Sequence, residues 1–166
     1  MAGKVQITAV EKALLDLLPR RLKVSYGQNV DVQTLGGTDF DDNGQLVLKS
    51  PAVRLHFNSA AYGDARDNTK TTQGVDLLFS AFCRHESLRS LAKFRSQTLE
   101  LVGALSDELA GARLLLEDGS RTEAIGLTGV NQALDVAGPV DQVYALSFTV
   151  SGIATFSGIN RDPEVH

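Results

Sequence analysis

Hydrophobic and polar positions change their spacing several times along this chain, and each change predicts an element. The stretch Val75–Phe82 is apolar on both faces of an extended segment, with Asp76 near its start. Such a pattern is typical of a strand that is covered on both sides. We therefore expect a central strand here, with strands near residues 53–57 and 143–150 beside it.

Those two neighbours alternate between apolar and polar residues. Residues 53–57 are Val-Arg-Leu-His-Phe, which predicts a half-buried strand with His56 on the solvent side. The alternation from Val143 to Val150 is the clearest in the sequence, and the strand can run on through Ile153. Residues 23–35 carry a weaker period of two, which predicts one further strand, with a break near Gly27 as an option.

Two segments have helical spacing. Apolar residues recur from Ile7 to Leu22, Thr8 and Glu11 fit a capping box, and Pro19 should stop the helix at Leu18 or kink it and add a turn. The second helix is predicted over residues 95–110, with a separate turn at 87–94. Gly103 is expected to pack closely against a sheet and Gly111 to end the helix.

These elements predict an α+β fold, with a mostly antiparallel sheet and two main helices packed on one face. A length of 166 residues suggests one domain over 1–166, with a core at about 5–155 and a flexible C-terminal tail at about 158–166. The net charge of −4 argues against a general nucleic-acid binder. No apolar run approaches a membrane span, and the N-terminus lacks the layout of a signal peptide.

The longest polar stretch, Asn58–Gly74, is predicted to be a loop that is too long for a tight hairpin. Long loops in compact domains are commonly functional or disordered. A plain surface loop is the alternative to a partner contact. The candidate interface residues are Tyr62, Asp64, Arg66, Asp67 and Lys70.

The segment Asp39–Gly44 matches the first half of a calcium-binding loop, with Asp39, Asp41 and Asn43 as candidate ligands. The closing position, twelve residues from the start, holds Ser50 instead of Glu. A solvated acidic turn is therefore the simpler interpretation. No metal and no cofactor is predicted.

Catalytic motifs are lacking from the sequence. The three histidines are far apart, and Cys83, the one cysteine, ends the central strand, where a free cysteine is usually a small apolar residue. A thiol enzyme needs an activated thiolate and an oxyanion site, and nothing in the sequence points to either. We expect no enzymatic activity.

The order of segments resembles a known family. A leading amphipathic helix precedes Ser50–Phe57, and a polar insertion separates this strand from Val75–Phe82. The helix Leu99–Gly111 and the strand Val143–Val150 follow. This order is similar to the small protein that Mu-like phages and prophages encode beside the tail sheath and tube genes, which is grouped with tail terminators, or tail-completion proteins. The resemblance covers roughly residues 5–155, while Asn58–Gly74 and the last ten residues match nothing in it.

The resemblance implies a structural role in the virion tail, with assembly in the bacterial host cytoplasm. Terminators form a ring, here expected to be a hexamer, that caps the tail tube, ends tail elongation and provides the head–tail joining surface. The implied partners are further copies of the chain, the tube protein, the sheath protein where the tail is contractile, and the head-completion protein. DNA would pass through the ring without specific binding, and no membrane contact is implied.

Two alternatives remain open at this point. The protein could be another tail component, in the tube, baseplate or an adaptor. It could also be a small metal-binding domain or enzyme that uses the Asp39–Asn43 turn together with His56.

Overall fold

The central strand of the sheet is the predicted one. In a computed structural model that describes residues 5–48, 50–68, 70–87, 89–138 and 142–156, the five strands lie in the order β1-β2-β3-β5-β4. The middle strand, β3, pairs antiparallel with β2 on one side and with β5 on the other. The strands are β1 (Asp31–Thr34), β2 (Ala52–Ala65), β3 (Thr72–Arg84), β4 (Gly126–Gln132) and β5 (Tyr144–Thr155).

The fold is α+β with a mostly antiparallel sheet, since only β1 and β2 run parallel. Two long helices, α1 (Ile7–Ser25) and α2 (Leu91–Leu109), pack against one face. The apolar stripe of α1 belongs to the same core as the side chains of β3 that alternate from Val75 to Cys83. Phe79 and Phe148 stack at the centre of this core, with ring centroids 5.6 Å apart.

Helix α1 does not stop at Pro19. Leu18 and Leu22 are both fully buried, so the apolar stripe continues on either side of the proline. Burying each leucine stabilises by about 1.5–3 kcal/mol, which together offsets the cost of about 3 kcal/mol for an interior proline. The predicted capping box is also wrong, because the helix begins after Gln6 without a side-chain cap.

Two further predictions are wrong: the strand over residues 23–35 and the close packing of Gly103 in α2. Residues 23–25 belong to α1, and only Asp31–Thr34 of the predicted 23–35 strand is extended. Gly103 does not pack closely, because it is exposed and a Cβ there would meet nothing within 4 Å. Gly111 does follow the end of α2, with φ at +74°.

Among the described residues, cover for the second face of the sheet is found only at one end. A smaller core lies there, between residues 35–48, the short helix α3 (Leu134–Ala137) and the ends of β2 and β3. It contains Leu46, Leu48, Ala52 and Val143, all buried. Towards the other end, the face carries small and polar side chains such as those of Ser147 and Thr149, which are half-buried. The predicted tail at 158–166 lies outside the described residues.

Candidate functional site

The acidic turn is tied to strand β2 by a buried ion pair. Arg54 is only 4% exposed, and its Nε donates to Oδ1 of Asp39 at 2.9 Å. The other Asp39 oxygen accepts from the backbone N–H of Gly36 at 2.8 Å, and Arg54 Nη2 donates to Asp31 Oδ2 at 2.8 Å. Burial alone would lower the pKa of Arg54, but its hydrogen bonds to both aspartates outweigh this and raise the pKa. The prediction of a solvated turn is therefore wrong for Asp39.

The remaining turn residues bond to each other. Asp41 Oδ1 accepts from the backbone N–H groups of Asn43 and Gln45, both at 2.9 Å, and Gly44 has φ of +75°. A calcium ion would have to compete with a guanidinium group for Asp39. Within the described ranges, no three His, Cys, Asp or Glu side chains lie close enough together to hold a metal ion. What this arrangement does is fix the turn to the end of the sheet.

The polar stretch Asn58–Gly74 is a hairpin and not a loop. Strand β2 continues to Ala65, and β3 starts at Thr72. The prediction failed because hydrophobic alternation reports burial, and every described residue from Ala61 to Lys70 is exposed. We call residues 58–74 the hairpin arm.

Asp67 holds the tip of the hairpin arm in shape. Its Oδ1 accepts from Thr71 N at 2.9 Å and its Oδ2 from Thr71 Oγ1 at 2.8 Å. Lys70 has φ of +56°, the left-handed conformation that a tight connection uses. The arm is therefore an ordered projection whose shape is set by its own hydrogen bonds.

The five predicted interface residues all lie on this arm and are exposed there. Tyr62 is 52% exposed, and its ring contacts that of Phe156 edge-on, with centroids 5.8 Å apart. An amphipathic aromatic side chain with half its area open to solvent is a common anchor in protein interfaces. The arm and the neighbouring Phe156 thus present two aromatic rings together with charges of both signs.

The hairpin arm and the acidic turn lie at opposite ends of the strands. The arm joins β2 and β3 at Ala65 and Thr72, whereas the turn packs near Ala52, at the start of β2. Leu46 and Leu48, which follow the turn, share the smaller core with Ala52. The hairpin arm and the acidic turn are therefore about one strand length apart.

Neither titratable group at the end of β3 is placed for catalysis. Cys83 is fully buried, and this burial raises the pKa of its thiol to about 12. His85 Nδ1 lies 2.5 Å from Oη of Tyr26, and burial lowers the pKa of His85 while it raises the pKa of Tyr26 to about 12. The neutral thiol of Cys83 and the neutral imidazole of His85, which bonds to Tyr26, are part of the packed structure at this end of the sheet.

A groove of about 610 Å³ lies beside α1 and the segment after α2. Its charged lining alternates in sign, with Arg20, Arg21 and Arg121 near Asp16 and Asp107. It is open to solvent, and neither Cys83 nor a histidine contributes to it. No helix in the described part of the chain is long and apolar enough to cross a membrane.

Sequence analysis missed the surface formed by β4. The strand is exposed along its length, and Leu127 and Val130 are 39% and 45% exposed. The available signal was the sequence itself, because Gly126–Gln132 contains no charged residue although it lies at the surface. An uncharged, exposed strand is unusual at the edge of a sheet.

No family model and no curated protein matches the sequence. Among solved structures, the chain is similar to a chain of the virion of a native gene transfer agent particle, with 17% identity, a TM-score of 0.47, and coverage of 90% of this chain and 93% of the other. It is also similar to the sheath/tube terminator of an extracellular contractile injection system, PVC, in the extended state, with 12% identity and a TM-score of 0.46. That match covers 93% of this chain but only 58% of the other. Both TM-scores lie below 0.5, so the surfaces of the chain itself have to carry any functional conclusion.

Proposed function

We propose that this protein is a phage tail terminator, or tail-completion protein, with a structural and not a catalytic role. The observation that carries the proposal is the position of the hairpin arm and the acidic turn at opposite ends of the strands. A terminator must contact the tail tube on one side and the head-completion protein on the other. A subunit whose strands run roughly along the tail axis has one candidate contact segment for each.

In this proposal the whole chain, 1–166, forms one domain, and copies assemble side by side into a closed ring, most simply a hexamer. Such contacts are heterologous and close by rotation. The ring stops tube polymerisation, holds the end of the sheath if the tail is contractile, and lets DNA pass without specific binding. Assembly takes place in the cytoplasm of the bacterial host, from a phage or prophage gene.

The contacts of the polar residues support a surface role. Asp39 is occupied by Arg54, the Cys83 thiol is buried, and Asp67 bonds within its own hairpin. On the arm, by contrast, side chains such as that of Tyr62 are open to solvent and can contact another protein. These contacts favour a role in which the outer surface binds other proteins.

Deletion of the gene in the producing host, followed by electron microscopy of the particles, tests the proposal. The expected result is tails of irregular or excessive length that do not join heads, with normal tails restored when the gene is supplied in trans. Tails of normal length that join heads without the gene would overturn the proposal. Loss of the tube or of the baseplate instead would assign the protein to one of those other tail positions.

A further inference from the structure

Three strands of the sheet have an outer edge, or part of one, without a partner strand in the described residues: β4, the short strand β1, and the part of β2 beyond β1. Strand β4 ends the sheet on one side. On the other side, β1 pairs with β2 only as far as Leu55, so β2 has an open outer edge from His56 to Ala65. A row of unpaired backbone N–H and C=O groups is a template for pairing with another chain.

The open edges of β4 and β2 lack charged residues and proline over most of their length, although each strand carries a β-bulge. Natural edge strands commonly carry charged residues or proline, which prevent uncontrolled association. Gly126–Gln132 contains neither, and nor does Phe57–Gly63 of β2. Each of these uncharged stretches is seven residues long by its numbering. Edges of this kind are suited to being covered, and their position on opposite sides of one sheet suits a head-to-tail contact.

We infer that β4 of one copy adds to the outer edge of β2 in the next copy, so that the sheets continue from subunit to subunit around the ring. This inference rests on the ring in the proposed function. Within one copy, β2, β3, β5 and β4 alternate in direction, so β4 runs antiparallel to β2. Rotation about an axis near the strand direction preserves that relation, and the new pair is antiparallel.

The register within one copy defines the shift that this pairing needs. Across the hydrogen-bonded sheet, Gly126 is level with Ser59 and Gln132 is level with Val53. At that level, the outer edge of β2 in the next copy is already paired with that copy's own β1 as far as Leu55. Strand β4 must therefore be displaced along β2 towards the hairpin arm, so that Gln132 lies opposite His56 or a later residue instead of Val53. This displacement is at least about three residues along an antiparallel pair.

The geometry of a closed sheet supplies a displacement of this size. Strands in closed barrels tilt by about 35–45° to the axis. With four strands per copy at a spacing of about 4.8 Å, the sheet rises by about 13–19 Å per copy, or about four to six residues at about 3.3 Å each. The displacement must be even, because an odd slip would bring side chains of opposite faces together.

A displacement of about four residues places the two uncharged stretches side by side over their full length. Counting the bulges at Asn58 and Thr128, Val130 then lies opposite Ala60, and Leu127 lies opposite Tyr62. Leu127, Val130 and Tyr62 are among the exposed large apolar side chains, and this pairing covers all three. A displacement of about six residues would instead bring Asp64 against the apolar strand, which is less favourable.

The same arrangement determines which face lines the channel. Since α1 and α2 cover one face, the other face of the continuous sheet turns inward. Near the arm this face carries Ser147, Thr149, Ser151 and Asp76. Exposed His56 lies level with Ser147 on the same face, so this lining combines small hydroxyl groups with one carboxylate and one imidazole per copy, and none of these side chains is a lysine or arginine that would hold a DNA phosphate.

Disulfide crosslinking on assembled tails tests the register. The double variant Ala60→Cys/Val130→Cys places thiols opposite each other between copies, within the Cα separation of 4.4–6.8 Å that a disulfide accepts, with about 5 Å expected for a strand pair. Inside one copy β3 and β5 separate the two positions, at a strand spacing of about 4.8 Å. Mild oxidation should therefore give a ladder of linked subunits in a denaturing gel without reductant.

The matched control is Ala61→Cys/Val130→Cys, which points the first thiol to the other face and should give no ladder. Native Cys83 is fully buried and is present in both variants. Rings seen by electron microscopy without a ladder, or with equal ladders in both variants, would overturn the edge pairing and leave the terminator role intact. Tails without rings of this protein would overturn the terminator role itself.

Discussion

The Nε atom of Arg54 donates to Oδ1 of Asp39 at 2.9 Å, and this contact joins the acidic turn to the second strand of the sheet. Both side chains are largely shielded from solvent, with 5% and 11% of their areas exposed. Removal of Asp39 would leave buried donors of Arg54 and Gly36 without an acceptor, which is more costly than the loss of a surface ion pair. The turn is thus a fixed feature at one end of the strands.

Asp39→Ala should therefore reduce the free energy of unfolding by about 1–3 kcal/mol, because it leaves Arg54 Nε and the Gly36 N–H without their acceptor while Arg54 keeps its ion pair with Asp31. Urea unfolding followed by circular dichroism measures this change. The control is Asp42→Ala, an exposed position in the same turn, where a change within about 0.5 kcal/mol is expected. Equal effects of the two substitutions would show that the ion pair does not hold the turn.

Two glycines should respond to alanine with opposite signs. A Cβ on Gly152 would lie 2.3 Å from Cγ2 of Val5, so Gly152→Ala forces Val5 away from the sheet and should cost about 1–3 kcal/mol. Gly103 is exposed in α2 with open space around it, so Gly103→Ala should stabilise by about 1 kcal/mol. Thermal unfolding of both variants measures the difference.

The double variant Val5→Ala/Gly152→Ala checks the cause of the loss at Gly152. If the clash is responsible, the double variant should recover part of the stability that Gly152→Ala loses. Additive losses in the double-mutant cycle would contradict the packing of Val5 over Gly152.

His85 should make stability depend on pH. Burial lowers its pKa in the folded state below the ordinary value of 6.5, so the unfolded chain binds the proton more readily. Its contribution is fully present above about pH 6.5 and is lost as the pH falls through the folded pKa. His85→Asn should show a smaller drop in Tm between about pH 7.5 and pH 5.5 than the parent protein.

His56 provides the control for this pH effect, because it is exposed on β2. His56→Asn should keep the pH dependence of the parent protein. A His85→Asn variant with the same pH dependence as the parent would show that other groups are responsible.

Asp67 should matter for the shape of the hairpin arm but little for the stability of the whole. Its carboxylate accepts from Thr71 N and Thr71 Oγ1, both at the exposed tip. Asp67→Ala should speed hydrogen exchange at Thr71 and Thr72, while Tm changes little, because the tip opens locally. Asp64→Ala on the same arm should leave exchange at these amides unchanged, and equal acceleration by both variants would refute the role of Asp67.

The buried elements were predictable because their patterns record burial on one face or on both. Val75–Phe82 proved to be the middle strand, with the two alternating segments on either side of it, because apolar residues on both faces require cover on both. Strand β5 ends at Thr155, close to the predicted end at Ile153. The long polar arm was missed because an exposed strand carries no such periodicity.

The candidate surfaces depend on partners that lie far apart in sequence. Arg54 looks like a solvent-facing residue of an alternating strand, and it is buried because Asp39 and Asp31 meet it there. Strand β4 can be recognised as an edge strand only when the strand order is known, since an uncharged run is also common in a buried core. Tyr62 was identified from its polar surroundings, but its alignment with Leu127 of a second copy requires the register of all four strands.

The most direct measurement of the central claim is electron cryo-microscopy of the head-proximal end of isolated tails. If the protein is a tail terminator, a closed ring of copies of this chain is expected on the last ring of the tube, with the hairpin arms on one axial side and the acidic turns on the other. A tail end that lacks this chain, or density for it only in the baseplate or along the tube, would contradict the account.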